Sequence, residues 1–93
     1  MEREDALELL RDQHDFPGVF KFRVVVRPES VGSVLSAITT AAGEKSTVRE
    51  VQQRVSRKGN YIALHVDIHL PSAETVLEVY AILQGLDGVL TAL

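Results

Sequence analysis

The chain has no cysteine, which excludes disulfide staples, thiolate metal sites and cysteine nucleophiles. Nor has it an excess of cations: Lys and Arg number 10 against 13 Asp and Glu, for a formal net charge of −3. Neutralising a phosphate backbone needs a cationic surface, so this balance disfavours nucleic acid as a partner. Aromatic residues are few, with 3 Phe, 2 Tyr and no Trp. No apolar run approaches the ~18 residues of a membrane-spanning helix. The stretch Met1-Glu2-Arg3-Glu4-Asp5 lacks the basic-then-apolar pattern of an export signal. A cytoplasmic protein that does not enter the membrane is expected.

What is present fits one small domain. Ninety-three residues leave room for a single core, and 45% hydrophobic with 25% charged residues is a globular composition. Residues 1–15 are polar apart from Ala6, Leu7, Leu9 and Leu10. Leu7 and Leu10 share a face at helical spacing, which predicts a short helical arm. Phe16-Pro17-Gly18 is a turn, because Pro17 bars Phe16 from the helical region and Gly18 tolerates positive φ.

From residue 16 to 93 the periodicity alternates between two and 3.6. Val19 to Val26 predicts a first strand, with Phe20, Phe22, Val24 and Val26 on one face and Lys21 and Arg23 on the other. Arg27-Pro28-Glu29-Ser30 breaks it. Ser30 or Glu29 then begins a helix whose stripe is Val31, Val34, Leu35, Ile38 and Ala42, stopped by Gly43. Thr47 to Val55 is a second strand with weak alternation, in which Arg49, Val51, Gln53 and Val55 share a face, as suits a sheet edge. Arg57-Lys58-Gly59-Asn60 is a hairpin loop with Gly59 left-handed. Tyr61 to His69 alternates most clearly, with Ile62, Leu64, Val66 and Ile68 inward and Tyr61, Ala63, His65, Asp67 and His69 outward. Ser72 caps a last helix with the stripe Val76, Val79, Tyr80 and Leu83, ended by Gly85. Val89 to Leu93 is a closing strand.

This β-α-β-β-α-β order predicts an α+β fold. The architecture is a ferredoxin-like sandwich, a four-stranded antiparallel sheet with two helices on one face and a short N-terminal helical arm. The first and third strands, with the strongest apolar faces, belong at its centre.

The segment Phe16-Pro17-Gly18-Val19-Phe20-Lys21-Phe22-Arg23-Val24, the block Ser56-Arg57-Lys58-Gly59-Asn60-Tyr61, the pair Val79-Tyr80 and the strand Val89 to Leu93 carry a resemblance. Together they resemble the YbeD-like family of small, uncharacterised bacterial proteins, over a span from about Leu7 to Leu93. The resemblance implies a fold similar to ACT regulatory domains. The chain departs from it at Gly18, where many relatives carry Cys, and so offers no thiol for a role there.

Four groups of residues are candidates for function. Arg57, Lys58, Gly59, Asn60 and Tyr61 form a basic loop with exposed backbone N–H groups at Gly59 and Asn60, suited to an anion or a partner. The same residues also make a sound hairpin without any ligand. Arg27, Ser30 and Gly32 belong to the loop after the first strand, near which ACT-like domains bind amino acids. An acylphosphatase-like phosphate cradle does not fit there, since Pro28 lacks an N–H and Glu29 repels phosphate. Lys21, Arg23, His65 and Asp67 share the open face of the sheet. His65 and His69, four positions apart on a strand, stand roughly 13 Å apart and cannot share an ion, so no metal site is expected. RNA-recognition modules of this topology stack bases on aromatics of that face, and only Tyr61 points outward here.

No nucleophile–base order, paired carboxylate or phosphate loop emerges. The sequence therefore predicts a non-catalytic regulatory or adaptor module without a cofactor. Self-association through the uncharged C-terminal edge strand or the open sheet face is expected, alongside an unidentified protein partner. The alternative is an ACT-like sensor of a small metabolite, such as an amino acid, and behind it stands an RNA-contacting module.

Overall fold

The computed structural model describes residues 2–93. Helix α1 (Arg3–Gln13) precedes strand β1 (Gly18–Val26), a 3-10 turn (Pro28–Ser30) and helix α2 (Val31–Ala42). Strands β2 (Thr47–Val55) and β3 (Ile62–Leu70), helix α3 (Ala73–Gln84) and strand β4 (Val89–Ala92) follow. The sheet order is β2-β3-β1-β4, and every neighbouring pair is antiparallel. The two strands with the strongest apolar alternation are thus the central ones.

Their parity builds the core. Phe20, Phe22, Val24 and Val26 of β1 are buried with Leu64, Val66, Ile68 and Leu70 of β3. Across from them lie Val34, Ile38 and Ala42 of α2 and Val76, Val79 and Leu83 of α3, so both helices cover the same sheet face. Each large side chain fully withdrawn from water contributes roughly 1.5–3 kcal/mol. Aromatic edges reinforce one side of this core: the Phe22 and Tyr80 rings lie 5.2 Å apart, and Phe20 and Phe22 lie 4.9 Å apart. Burial in this cluster raises the Tyr80 phenol above its ordinary pKa.

Local chemistry sets the element ends. The Ser72 hydroxyl accepts the Thr75 N–H at 3.4 Å and caps α3. Pro28 opens the 3-10 turn, where its missing N–H is no loss. β1 starts at Gly18 and β3 runs to Leu70, one residue beyond what alternation alone predicts at each end, because those two residues pair. Tyr61 falls outside β3: its carbonyl accepts the Ser56 N–H at 2.8 Å and so closes the hairpin loop.

Two expectations need correction. Gly18 does not adopt positive φ, which among the described glycines is confined to Gly43, Gly59 and Gly88. Space explains it instead, since a Cβ at Gly18 would collide with the Asp15 carbonyl oxygen beside the cis Phe16–Pro17 peptide. On β2, Arg49 does not share a face with Val51. Val48 pairs with Ile68 and Glu50 with Asp67, leaving Arg49 as the extra residue of a bulge. Val48, Val51, Gln53 and Val55 therefore register with inward residues of β3, while Thr47, Glu50, Gln52 and Arg54 register with outward ones.

α1 lies on the helical side. Leu7 is buried, Leu10 packs against the core, and the His14 ring meets Phe20 edge-on at 4.8 Å. Arg11 Nη2 reaches Glu74 Oε2 at 2.7 Å, a bond that ties the arm to the first turn of α3. With α1 also on that side, no element among the described residues covers the opposite face of the sheet.

Candidate functional site

The β1–α2 connection and the β2–β3 hairpin leave the same end of the sheet, because β1 and β3 are adjacent and antiparallel. There they converge. Arg27, Pro28 and Glu29 face Gly59, Asn60 and Tyr61 across a shallow cleft of about 560 Å³, closed on one side by Leu90. The hairpin is rigid where it lines this cleft. The Gly59 N–H donates to the Ser56 carbonyl at 2.9 Å, and the Tyr61 N–H donates to the Ser56 hydroxyl at 2.9 Å. Gly59 sits at φ 76°, the left-handed conformation the loop requires.

The expected residues divide accordingly. Arg27, Gly59, Asn60 and Tyr61 are brought together, although the Gly59 N–H is consumed by its own turn and is not offered to a ligand. Ser30 and Gly32 do not line the cleft. Ser30 packs against Gly88 in the α3–β4 turn, and Gly32 is exposed in the first turn of α2 with nothing near it. Arg57 lies round the corner, in a hollow of about 610 Å³ with Val25, Arg54, Ala63 and Tyr61. Lys58 is exposed at the loop tip and lines neither. Sequence reasoning missed Glu29 and Leu90 as cleft residues; only the sheet order brings Leu90 beside the hairpin.

The open face assembles the second group. Lys21 pairs with Asp67 and Arg23 with His65 across the central strands, directly opposite in register. Glu50 and Gln52 extend the same two rows onto β2. The Lys21 ammonium stands 3.8 Å from Asp67 Oδ1, with side chains 45% and 25% exposed. That is an ion pair but beyond hydrogen-bond reach. Asp67 Oδ1 is itself buried and has no hydrogen-bond partner. Ala63 makes a dent in this face, flanked by the hollow that Arg57 joins and by another of about 650 Å³ that reaches His65. Among the described residues no group of three or more His, Asp or Glu is placed to hold a metal ion. No described helix is long and apolar enough to cross a membrane.

This architecture is the ferredoxin-like α+β sandwich. The model of the family described as "Protein of unknown function (DUF493)" matches residues 11–93, and the chain belongs to that family. The family match agrees with the sequence resemblance at the level of a small, uncharacterised group. The solution structure of the C-terminal domain of the MgtC protein from Mycobacterium tuberculosis is similar in fold. It has a TM-score of 0.71 at 18% sequence identity, covering 86% of this chain and 88% of that one. No curated protein matches the chain in sequence.

Proposed function

We propose that the chain is a non-catalytic regulatory or adaptor module, cytoplasmic, that works through protein contacts, with pairing to a second copy among them. The observation that carries this reading is the β4 edge. Val89–Ala92 ends the sheet beside β1 and bears no charge, and Leu90 remains exposed. Charge guards many edge strands, as Arg49, Glu50 and Arg54 guard β2. β4 has a register shift at Leu90 but no charge, and an uncharged edge is a template for another strand. Sedimentation velocity over a wide concentration range tests this. The wild type should gain more mass with concentration than Leu90→Lys, the difference being the share that β4 contributes; a Leu90→Lys chain whose mass rises as the wild type's does refutes pairing at β4.

The loop cleft favours a second reading, an ACT-like module that senses an amino acid or similar small metabolite. Arg27 and Glu29 offer opposite charges within one recess, matched to a small molecule bearing both an anionic and a cationic group. A thermal-shift screen against amino acids should then give a saturable response, since a ligand at ~100 times its dissociation constant stabilises by ~2.7 kcal/mol. Arg27→Ala should abolish the response and Gly32→Trp should keep it. A flat screen removes this reading.

A further inference from the structure

We propose that the open sheet face is a docking surface for a second copy of this chain, packed face to face about a two-fold axis running between β1 and β3. This goes beyond edge pairing, because it uses a different surface and different residues.

The register gives the argument. On the open face, successive rows across the two central strands are Val19 beside His69, Lys21 beside Asp67, Arg23 beside His65, and Val25 beside Ala63. A two-fold axis lying in the interface, parallel to the strands and midway between them, carries each β1 position over the β3 position of the same row. Lys21 then stands over Asp67 of the second copy, and Asp67 over its Lys21. The face is thus complementary to itself in charge at its centre, as an isologous contact requires.

Two further features match the same axis. Asp67 Oδ1 is buried without a hydrogen bond, and its own Lys21 is too distant to supply one. The Asp67 side chain still keeps 25% of its surface exposed, and an ammonium from the second copy meets that accessible part of the carboxylate. In the last row, the small Ala63 leaves a dent between larger neighbours. The axis sets Val25 of the second copy over that dent, a larger side chain over a smaller one. Val19 is 53% exposed and Leu93, hydrogen-bonded to Arg23 through both backbone groups, is 73% exposed, so the rim also has apolar surface to bury. Four rows over four strands fall short of the roughly 20–30 residues a side of a stable interface, so the dimer should be reversible.

The intrachain Lys21–Asp67 pair gives no competing account. It is partly exposed, and such pairs contribute little to folding.

The test uses charge segregation in a Leu90→Lys background, where edge pairing contributes nothing. One chain carries Lys21→Asp and the other Asp67→Lys. Either change breaks the intrachain pair and sets like charges against each other in a homodimer. The parent should dimerise with concentration by sedimentation velocity, and each variant alone should remain monomeric. An equimolar mixture should recover association at least tenfold tighter than either variant alone, because every position 21 now meets an opposite charge at position 67. Thermal melts confirm that both variants are folded. A monomeric parent overturns the face contact and leaves edge pairing, read from Leu90→Lys against wild type, to stand or fall separately. A dimeric parent whose variants still dimerise, or whose mixture stays monomeric, overturns it as well.

Discussion

Alanine placed at Gly59 and at Gly88 should cost very different amounts, although the two share a positive φ. Gly59 has φ 76° and Gly88 has φ 87°. An L-residue in the left-handed region costs roughly 1–2 kcal/mol. Removing a glycine also stiffens the unfolded chain and returns about 0.4–1 kcal/mol. The net backbone effect is therefore about 1 kcal/mol at either position. Surroundings then separate them. A Cβ at Gly59 has nothing within 4 Å, whereas a Cβ at Gly88 drives into the Ser30 hydroxyl and Cβ. Ser30 sits where the 3-10 turn enters α2 and has little freedom to withdraw. Such overpacking adds about 1–3 kcal/mol. For a domain of this size 1 kcal/mol moves the melting temperature by roughly 4–8 °C. Gly88→Ala should thus melt roughly 4–24 °C below Gly59→Ala. Urea titration with melts read by circular dichroism measures both, and the slopes of the two variants should agree. Adding Ser30→Gly should restore stability in the Gly88→Ala chain and not in the Gly59→Ala chain. If the two alanine variants differ by less than about 0.5 kcal/mol, or if Ser30→Gly rescues neither, the packing of Ser30 on the α3–β4 turn is refuted.

Three further outcomes are expected. Glu74 has its carboxyl pKa lowered, first by its own backbone N–H at the start of α3, against an opposing desolvation, and then by the Arg11 bond and the charges of Arg11 and Arg3. A lowered folded pKa adds stability above the unfolded carboxyl value and loses it as pH falls through the folded one, so Glu74→Gln should flatten the acid limb of a melting-temperature profile. Tyr80 has the opposite sign: its phenol is raised by burial, so its contribution holds below the ordinary value of 10.0 and fades as pH climbs through the folded value. Tyr80→Phe should lose that alkaline phase while Tyr61→Phe keeps it. Ser72→Ala removes the hydroxyl that accepts the Thr75 N–H and should cost about 0.5–2 kcal/mol in urea unfolding.

The central strands were legible because burial of one face only leaves a period-two signal, and Phe20 to Val26 and Ile62 to Leu70 keep it without interruption. The helix ends were legible for a similar reason, since Ser72 and Gly43 act on their own neighbours. Contacts between distant residues leave no such trace. Arg11 and Glu74 are 63 positions apart, and neither belongs to a pattern that points at the other. The loop cleft was half legible: Arg27 and the hairpin each stood out alone, but their meeting depends on β1 lying beside β3. Ser30 and Gly32 were placed with Arg27 by nearness in sequence, and the helical turn carries them away from it. The open-face pairs Lys21–Asp67 and Arg23–His65 rest on the register of β1 against β3, which no local turn sets.

The bulge at Arg49 bears on how length variation in β2 should be read. Pairing runs from Val48 to Ile68 and resumes from Glu50 to Asp67, so Arg49 is a residue the ladder does not count. Deleting it would join Val48 to Glu50 in ordinary alternation and leave each on the face it already occupies. Deleting any other residue between Glu50 and Val55 would act like a frameshift, turning the side chains on one side of the cut over to the wrong face. A homologue one residue shorter at this point can therefore keep the ladder unbroken with the gap at Arg49, and an alignment that moves the gap further along the strand misassigns the faces of the residues between.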